Sequence, residues 1–403
     1  MKKLLSTNTV LALLVTSTSP ASSAQSLLDN IEEAVSKGST SLSFRARLET
    51  AEEDNPLQDA AAATLRTRLT LSSGEISGLS GVLELDDVST IGADHYDSLL
   101  IDRYRGGYSI VADPVGTEVN QAYLNYALDD SQSVRVGMQR INHGAQRFVG
   151  SVAWRQNEQT LDALSYSRSG ANLSVDYSYV WNVNRIFAGS KASVQAENLD
   201  SDSHIGHANY KTGAGTFGGF FNILDFENAA ALSSATYGLS YAHSMAGFSV
   251  NASVARQSDH GANPVSYDAS YIAADVSYDF GVAKLLFGHE SLGSDGGAAA
   301  FQTPLATLHK WQGWADLFLS TPTTGIEDSY VSLSGKFGAA QFSAIYHTFE
   351  ADAGGADYGS EWDLIASYPI RPNLAIELKY ANYNSNGFKV DTEKFWFSLS
   401  LAF

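Results

Sequence analysis

The last twelve residues, Thr392-Glu393-Lys394-Phe395-Trp396-Phe397-Ser398-Leu399-Ser400-Leu401-Ala402-Phe403, decide the fold. Phe395, Phe397, Leu399, Leu401 and Phe403 fall on one side of an extended chain, against Lys394, Trp396, Ser398 and Ser400 on the other. That period of two is the signature of a strand with one apolar face. The same split recurs upstream. Leu42, Phe44, Ala46 and Leu48 alternate with Ser43, Arg45, Arg47 and Glu49, and Leu65 and Leu69 alternate with Arg66 and Arg68. Near the end, Leu374, Ile376, Leu378 and Tyr380 alternate with Ala375, Glu377, Lys379 and Ala381.

Such runs are about ten residues long, the length of a tilted strand that crosses a bilayer. They predict roughly eighteen strands, at 40–50, 61–72, 77–88, 117–128, 131–140, 157–168, 171–182, 201–212, 215–226, 235–245, 247–257, 267–279, 281–290, 326–336, 339–350, 360–369, 373–384 and 392–403. Their connections alternate between short turns, such as Asp129-Asp130 and Gly213-Ala214, and long polar loops at 51–60, 89–116, 141–156, 183–200 and 291–325. An apolar face repeated over so many strands, with no helical layer to cover it, is solved by facing lipid and closing the sheet. The expected fold is all-β: a membrane-spanning, up-and-down antiparallel barrel in the outer membrane of a Gram-negative cell. An even strand count returns both termini to the periplasmic side.

Composition agrees. The 403 residues include 34 Gly, 20 Tyr and 19 Phe, no Cys and only 17% charged residues, a mixture suited to a large antiparallel sheet without disulfides. Mean hydropathy is −0.13, so hydropathy alone does not mark a membrane protein. Lys2, Lys3, the apolar run Val10–Val15 and Ser22-Ser23-Ala24 read as a signal peptide over 1–24, cleaved before Gln25. Residues 25–39 form a short periplasmic segment with a helical stripe at Leu27, Leu28, Ile31, Ala34 and Val35, and the barrel occupies 40–403. The net charge of −19 becomes −21 once Lys2 and Lys3 leave, and nothing suggests a nucleic-acid partner. The expected partners are outer-membrane lipid and lipopolysaccharide, with the terminal Phe403 resembling the signal read by the barrel-assembly machinery.

Several blocks resemble the alginate-export-like family of outer-membrane porins. They are Asp113–Leu124, Gly137-Met138-Gln139-Arg140-Ile141, Gln146–Gly150, Trp154–Thr160, Asn182–Phe187, Phe301–His309 and Gly313-Trp314-Ala315-Asp316. Met138 and His143-Gly144 depart from the family's pattern. The resemblance implies an eighteen-stranded channel and an anionic carbohydrate as cargo.

The polar phase supplies a basic set: Arg45, Arg47, Arg66, Arg68 and Arg135, with Arg140, Arg147 and Arg155 in or beside the adjoining loop. Guanidinium groups bind carboxylates bidentately, so these residues are candidates to line a lumen that passes small anions or anionic oligo- and polysaccharide. The competing reading pairs them with lumen carboxylates such as Glu49, Glu84, Asp86 and Glu118, which would hold the barrel's shape and select little. The long 291–325 loop carries Trp311, Trp314 and Phe318, unusual for a solvated loop, and predicts inward folding with His309, Trp311, Trp314 and Asp316 narrowing the pore. Enzyme chemistry finds no support: Gly-x-Ser-x-Gly is absent, and the scattered His and the lack of Cys argue against a metal or other cofactor. An unselective diffusion porin and a structural or adhesive barrel remain as alternatives.

Overall fold

In a computed structural model, residues 29–100, 106–187, 193 and 195–403 are described. The signal peptide and residues 25–28 lie outside them. Alternating residues form strands because one face can be buried on each side of the sheet, in lipid outside and against loops inside. The strands are β1 Ser39–Glu53, β2 Ala60–Ser72, β3 Leu79–His95, β4 Gly116–Asp129, β5 Gln132–Gln139 and β6 Thr160–Ser169. Next come β7 Leu173–Asn184, β8 Asn198–Thr212, β9 Gly215–Leu224, β10 Ser234–Met245, β11 Phe248–Asp259, β12 Asp268–Asp279 and β13 Ala283–Leu292. A small hairpin, β14 Ser294–Asp295 and β15 Ala299–Ala300, precedes β16 Ile326–Phe337, β17 Ala340–Glu350, β18 Asp357–Arg371, β19 Leu374–Ser385 and β20 Thr392–Ala402.

All but that hairpin form one 18-stranded antiparallel sheet in which each strand pairs with its neighbours in sequence. The sheet closes on itself where β1 pairs with β20, from Ser43 opposite Ala402 to Glu53 opposite Thr392. Closure leaves no edge around most of the wall, which is what a bilayer requires of a sheet. Among the described residues no helix is long and apolar enough to cross a membrane; a barrel crosses with strands.

The outward phase stays exposed and apolar. Leu239 is 65% and Ile272 53% exposed, with Val250, Phe287, Leu333 and Leu364 in the same class. Near the short-turn end, Phe248, Tyr278 and Phe280 meet in tilted and edge-to-face contacts with ring centroids 4.6 and 4.8 Å apart, part of an aromatic girdle. The inward phase packs against the long loops. Phe301, Ala315 and Phe318 from the 293–325 loop bury themselves with Tyr271, Phe349 and Trp396. Ile141, Val149 and Leu305 pack on Val180, Ile205 and Phe226. The core therefore sits in the lumen, between wall and loops.

Strand ends lie within about three residues of the sequence reading, with one exception. β3 runs to His95, where the reading ended a strand at 88, because Thr64 to Ala61 of β2 keep pairing with Thr90 to His95 although the apolar alternation has faded. The 293–325 connection also holds structure of its own, the β14–β15 hairpin and a 3-10 turn at Leu308–Lys310. The helical stripe forms a helix over 29–36.

Candidate functional site

The wall of β1 and β2 places Arg45 opposite Arg66 in register, with Arg47 one pleat nearer the long-loop end and Arg68 one pleat nearer the short turns. At Gln139 β5 leaves the wall and residues 140–159 fold into the lumen along this basic face. Arg45 donates from Nε to Gln156 Oε1 at 2.9 Å and from Nη1 to the Ala153 carbonyl at 3.1 Å, and also reaches the Arg155 carbonyl. Arg47 donates to the Trp154 carbonyl at 2.6 Å and lies 3.5 Å from Asp113. These two guanidiniums thus hold the loop's backbone carbonyls, which no helix or sheet satisfies.

The next group is a charge cluster. Arg68 grips Asp86 with both oxygens, at 2.7 and 2.5 Å, and Glu158 at 2.6 Å. Arg140 binds the same Glu158 at 2.5 Å and Glu84 at 3.2 Å, and Arg66 lies 3.8 Å from Glu158. Three guanidiniums therefore converge on one loop carboxylate. Burial alone would raise the Glu158 carboxyl; Arg68 and Arg140 hold it below its ordinary range. Glu118 makes no hydrogen bond or ion pair among the described residues. Arg135 stands apart, with its guanidinium 4.4 Å from the Tyr123 ring and no ion pair among the described residues.

Arg155 joins the two infolded loops to the wall. It donates to both oxygens of Glu49 at 2.9 and 2.8 Å and to Asp316 at 3.1 Å. Its neighbour Trp154 stacks on His309 at 3.4 Å with 13° between the planes. His309 donates from Nδ1 to Asp316 Oδ1 at 2.7 Å, while its Nε2 faces the Lys379 ammonium of β19. A carboxylate can only accept, so the Nδ1 proton is the one given to Asp316. Burial pushes His309 well below its ordinary value. Burial alone would raise Asp316, but the His309 bond and the Lys394 and Arg155 cations hold it well below the usual carboxylate range.

The 293–325 loop is anchored on its other flank by wall carboxylates. Ala315 donates its N–H to Glu361 at 2.7 Å and Trp314 to Asp363 at 3.1 Å. Lys379 lies 3.7 Å over the Trp314 ring. Gly313 makes this possible with φ +79°, and a Cβ there would come 2.3 Å from Glu361 Oε2. Arg147 bonds Glu290 at 2.5 Å and Thr303 at 2.9 Å, with Trp311 5.2 Å away.

The structure thus brings Arg45, Arg47, Arg66, Arg68, Arg140 and Arg155 together along one lumen face, and joins Arg155 to His309, Trp314 and Asp316. Arg147 and Trp311 form a separate node on β13, and Arg135 lies nearer the short turns. Sequence reasoning missed the acids that complete the cluster: Asp113, Glu158, Glu290, Glu361 and Asp363. The last three sit at alternating strand positions, so extending the polar phase to acids on β13 and β18 would have found them. Asp113 is in a loop, where period carries no signal, and Glu158 falls in the expected strand 157–168 but lies in the loop ahead of β6, which begins at Thr160.

No family model and no curated protein matches the sequence. Solved structures do match in fold. Pseudomonas aeruginosa OccK3 (OpdO) superposes with a TM-score of 0.69 at 14% identity, covering 94% of this chain and 98% of that one. Pseudomonas aeruginosa OccK9 (OpdG) gives 0.70 at 17% identity over 92% and 100%. Pseudomonas aeruginosa OpdK, solved with vanillate, gives 0.68 at 14% identity over 92% and 99%. These neighbours are Occ/Opd porins, not enzymes, and none is an alginate-export porin. The blocks that suggested that family are spread over the wall, as in Asp113–Leu124 running into β4 and Asn182–Phe187 at the end of β7, and over the two infolded loops, as in Trp154–Thr160 and Gly313–Asp316; the solved structures support an outer-membrane porin fold and not that family. The chain has the fold of an eighteen-stranded outer-membrane porin.

Proposed function

We propose that this protein is an outer-membrane channel through which small polar solutes diffuse, with small organic anions favoured. The observation that carries the reading is the convergence of Arg66, Arg68 and Arg140 on Glu158, inside a closed barrel and on a loop folded into its lumen. A solute carboxylate can exchange with Glu158 in that cluster without leaving a guanidinium bare, since each offers several donors. Low-dielectric walls strengthen the field that draws it in. Vanillate, the compound present in the OpdK structure, is an aromatic carboxylate of this chemical class. An anionic oligo- or polysaccharide, the cargo the alginate-export likeness implies, would meet the same basic face along the infolded 140–159 loop.

The pairing of the arginines favours a second reading, an unselective porin, because Glu84, Asp86 and Glu158 offset the charge of Arg66, Arg68 and Arg140. Reversal potentials across a planar bilayer in a salt gradient separate the two. Anion preference supports the first reading, and no preference supports the second. A barrel acting only through its loops would give no current. The exposed apolar belt is the surface for outer-membrane lipid and lipopolysaccharide. The C-terminal Phe403, 68% exposed, is the residue offered to the assembly machinery.

A further inference from the structure

The barrel wall has a gap. β4 pairs with β3 up to Gly116, but with β5 only from Ala122 to Asp129. Residues 116–121 therefore present an edge with no strand partner on the β5 side. The cause is the departure of β5 at Gln139. Arg140 is drawn inward by Glu84 and Glu158, and its own N–H is taken by the side-chain oxygen of Gln121 at 3.0 Å, which ends the ladder. Gly137, at φ +124°, bends the strand just before it leaves; a Cβ there would lie 2.4 Å from the Ala122 carbonyl. The wall resumes at Thr160 of β6, paired with Asn184 of β7, which pairs in turn with Asn198 of β8. Beyond the gap, Leu100 bridges to Ser193, whose hydroxyl donates to the Leu99 carbonyl at 2.9 Å. Described residues thus stand on the β3–β4, β5 and β6–β8 sides of the opening, a window in the wall.

A cavity of about 310 Å³ occupies it. Its lining includes Val119 and Met138 from the outward phase of the sheet, and Glu118 and Glu158 from the lumen side. The cavity thus lies where the ladder is interrupted, between the outward and the inward phase of the wall. Along β7, Tyr177 and Trp181 are exposed on the short-turn side of the window, while Asn184 and Asn198 form its rim. Amides beyond an aromatic belt place the opening at the membrane surface, not in the apolar interior. Among the described residues no basic side chain lines it. Arg68 and Arg140 offset Glu158, but Glu118 and Glu197 have no ion-pair partner among the described residues. The described lining is thus acidic where the lumen beside it is basic.

We propose that this window is a side port, a second passage from the lumen beside Glu158 to the membrane surface, used by small cations and neutral polyhydroxylated solutes. The inference rests on the channel reading above. The chain has no Cys, so Glu197→Cys gives a single attachment point on the rim, with Asn198→Cys as a second variant should the first fail to assemble. Each is labelled with a bulky neutral maleimide, the labelling checked by mass, and the channel recorded in a planar bilayer. Every conductance step should lose a constant fraction, and the reversal potential should move toward anion preference. Glu118→Gln with Glu197→Gln should move it the same way without reducing the step. Complete labelling of either variant with step size and reversal potential unchanged would overturn the port. An unlabelled protein that shows no steps would sink the channel reading itself, a distinct result.

Discussion

Replacing Arg155 by Ala tests whether the infolded loops are held by charge. Arg155 is 4% exposed and Glu49 0%, and Arg155 is the one partner found for the Glu49 carboxylate among the described residues. Asp316 keeps His309 and Lys394 when the arginine goes, so most of the loss falls on Glu49. Leaving one member of a buried pair uncompensated costs about 3–5 kcal/mol. At about 1.4 kcal/mol per tenfold, that moves the balance between docked and released loops by roughly two to three and a half orders of magnitude. The barrel wall, held by its own ladder, should survive. Arg155→Ala should therefore give noisier, larger single-channel currents and protease cleavage between 141 and 159 in reconstituted vesicles. Adding Glu49→Gln removes the stranded charge and should restore much of the docking. Wild-type noise, step size and protease protection in Arg155→Ala would refute the reasoning, as would a double variant no better than the single one.

Acidification should loosen the same contact. His309 is depressed by burial, so its contribution to docking is complete above about pH 6.5 and is lost as pH falls below it, and Asp316 acts in the same direction below about pH 4. Current noise should rise between pH 7.5 and pH 5 in wild type and stay flat in His309→Gln. Gly313→Ala forces a left-handed backbone on a side chain at about 1–2 kcal/mol, before its clash with Glu361 is counted; step size should increase while the barrel's melting temperature stays near wild type. Arg66→Ala with Arg68→Ala should shift the reversal potential toward cations, since Asp86 and Glu158 then face the lumen without those guanidiniums; an unchanged potential would remove the basic face from the conduction path.

The wall was legible in the sequence because a sheet between lipid and lumen imposes a strict period of two over every strand. The predicted span 373–384 lies one residue from Leu374–Ser385, and the eighteen strands of the closed sheet match the predicted number. Legibility failed where that period stops deciding anything. β3 beyond Val88 continues as strand through backbone pairing alone, and residues 157–159, read as the start of a strand, belong to the infolded loop. The arginines stood out by residue type, and Glu49, Glu84 and Asp86 were legible as their partners because they share the polar phase of the wall; Glu158 and Asp113 were not, because they reach the arginines only through segments that fold back into the lumen. Inward folding of the 293–325 loop was readable from Trp311, Trp314 and Phe318, since rings in a solvated loop need somewhere to go. Which wall residues would receive them was not.

The most direct test is a planar-bilayer recording of the purified wild-type protein beside a variant lacking residues 302–320. The structure predicts discrete steps in wild type, and larger steps in the deletion because its loop no longer occupies the lumen. Absence of steps in a correctly folded barrel, or steps of equal size in the two proteins, would contradict it.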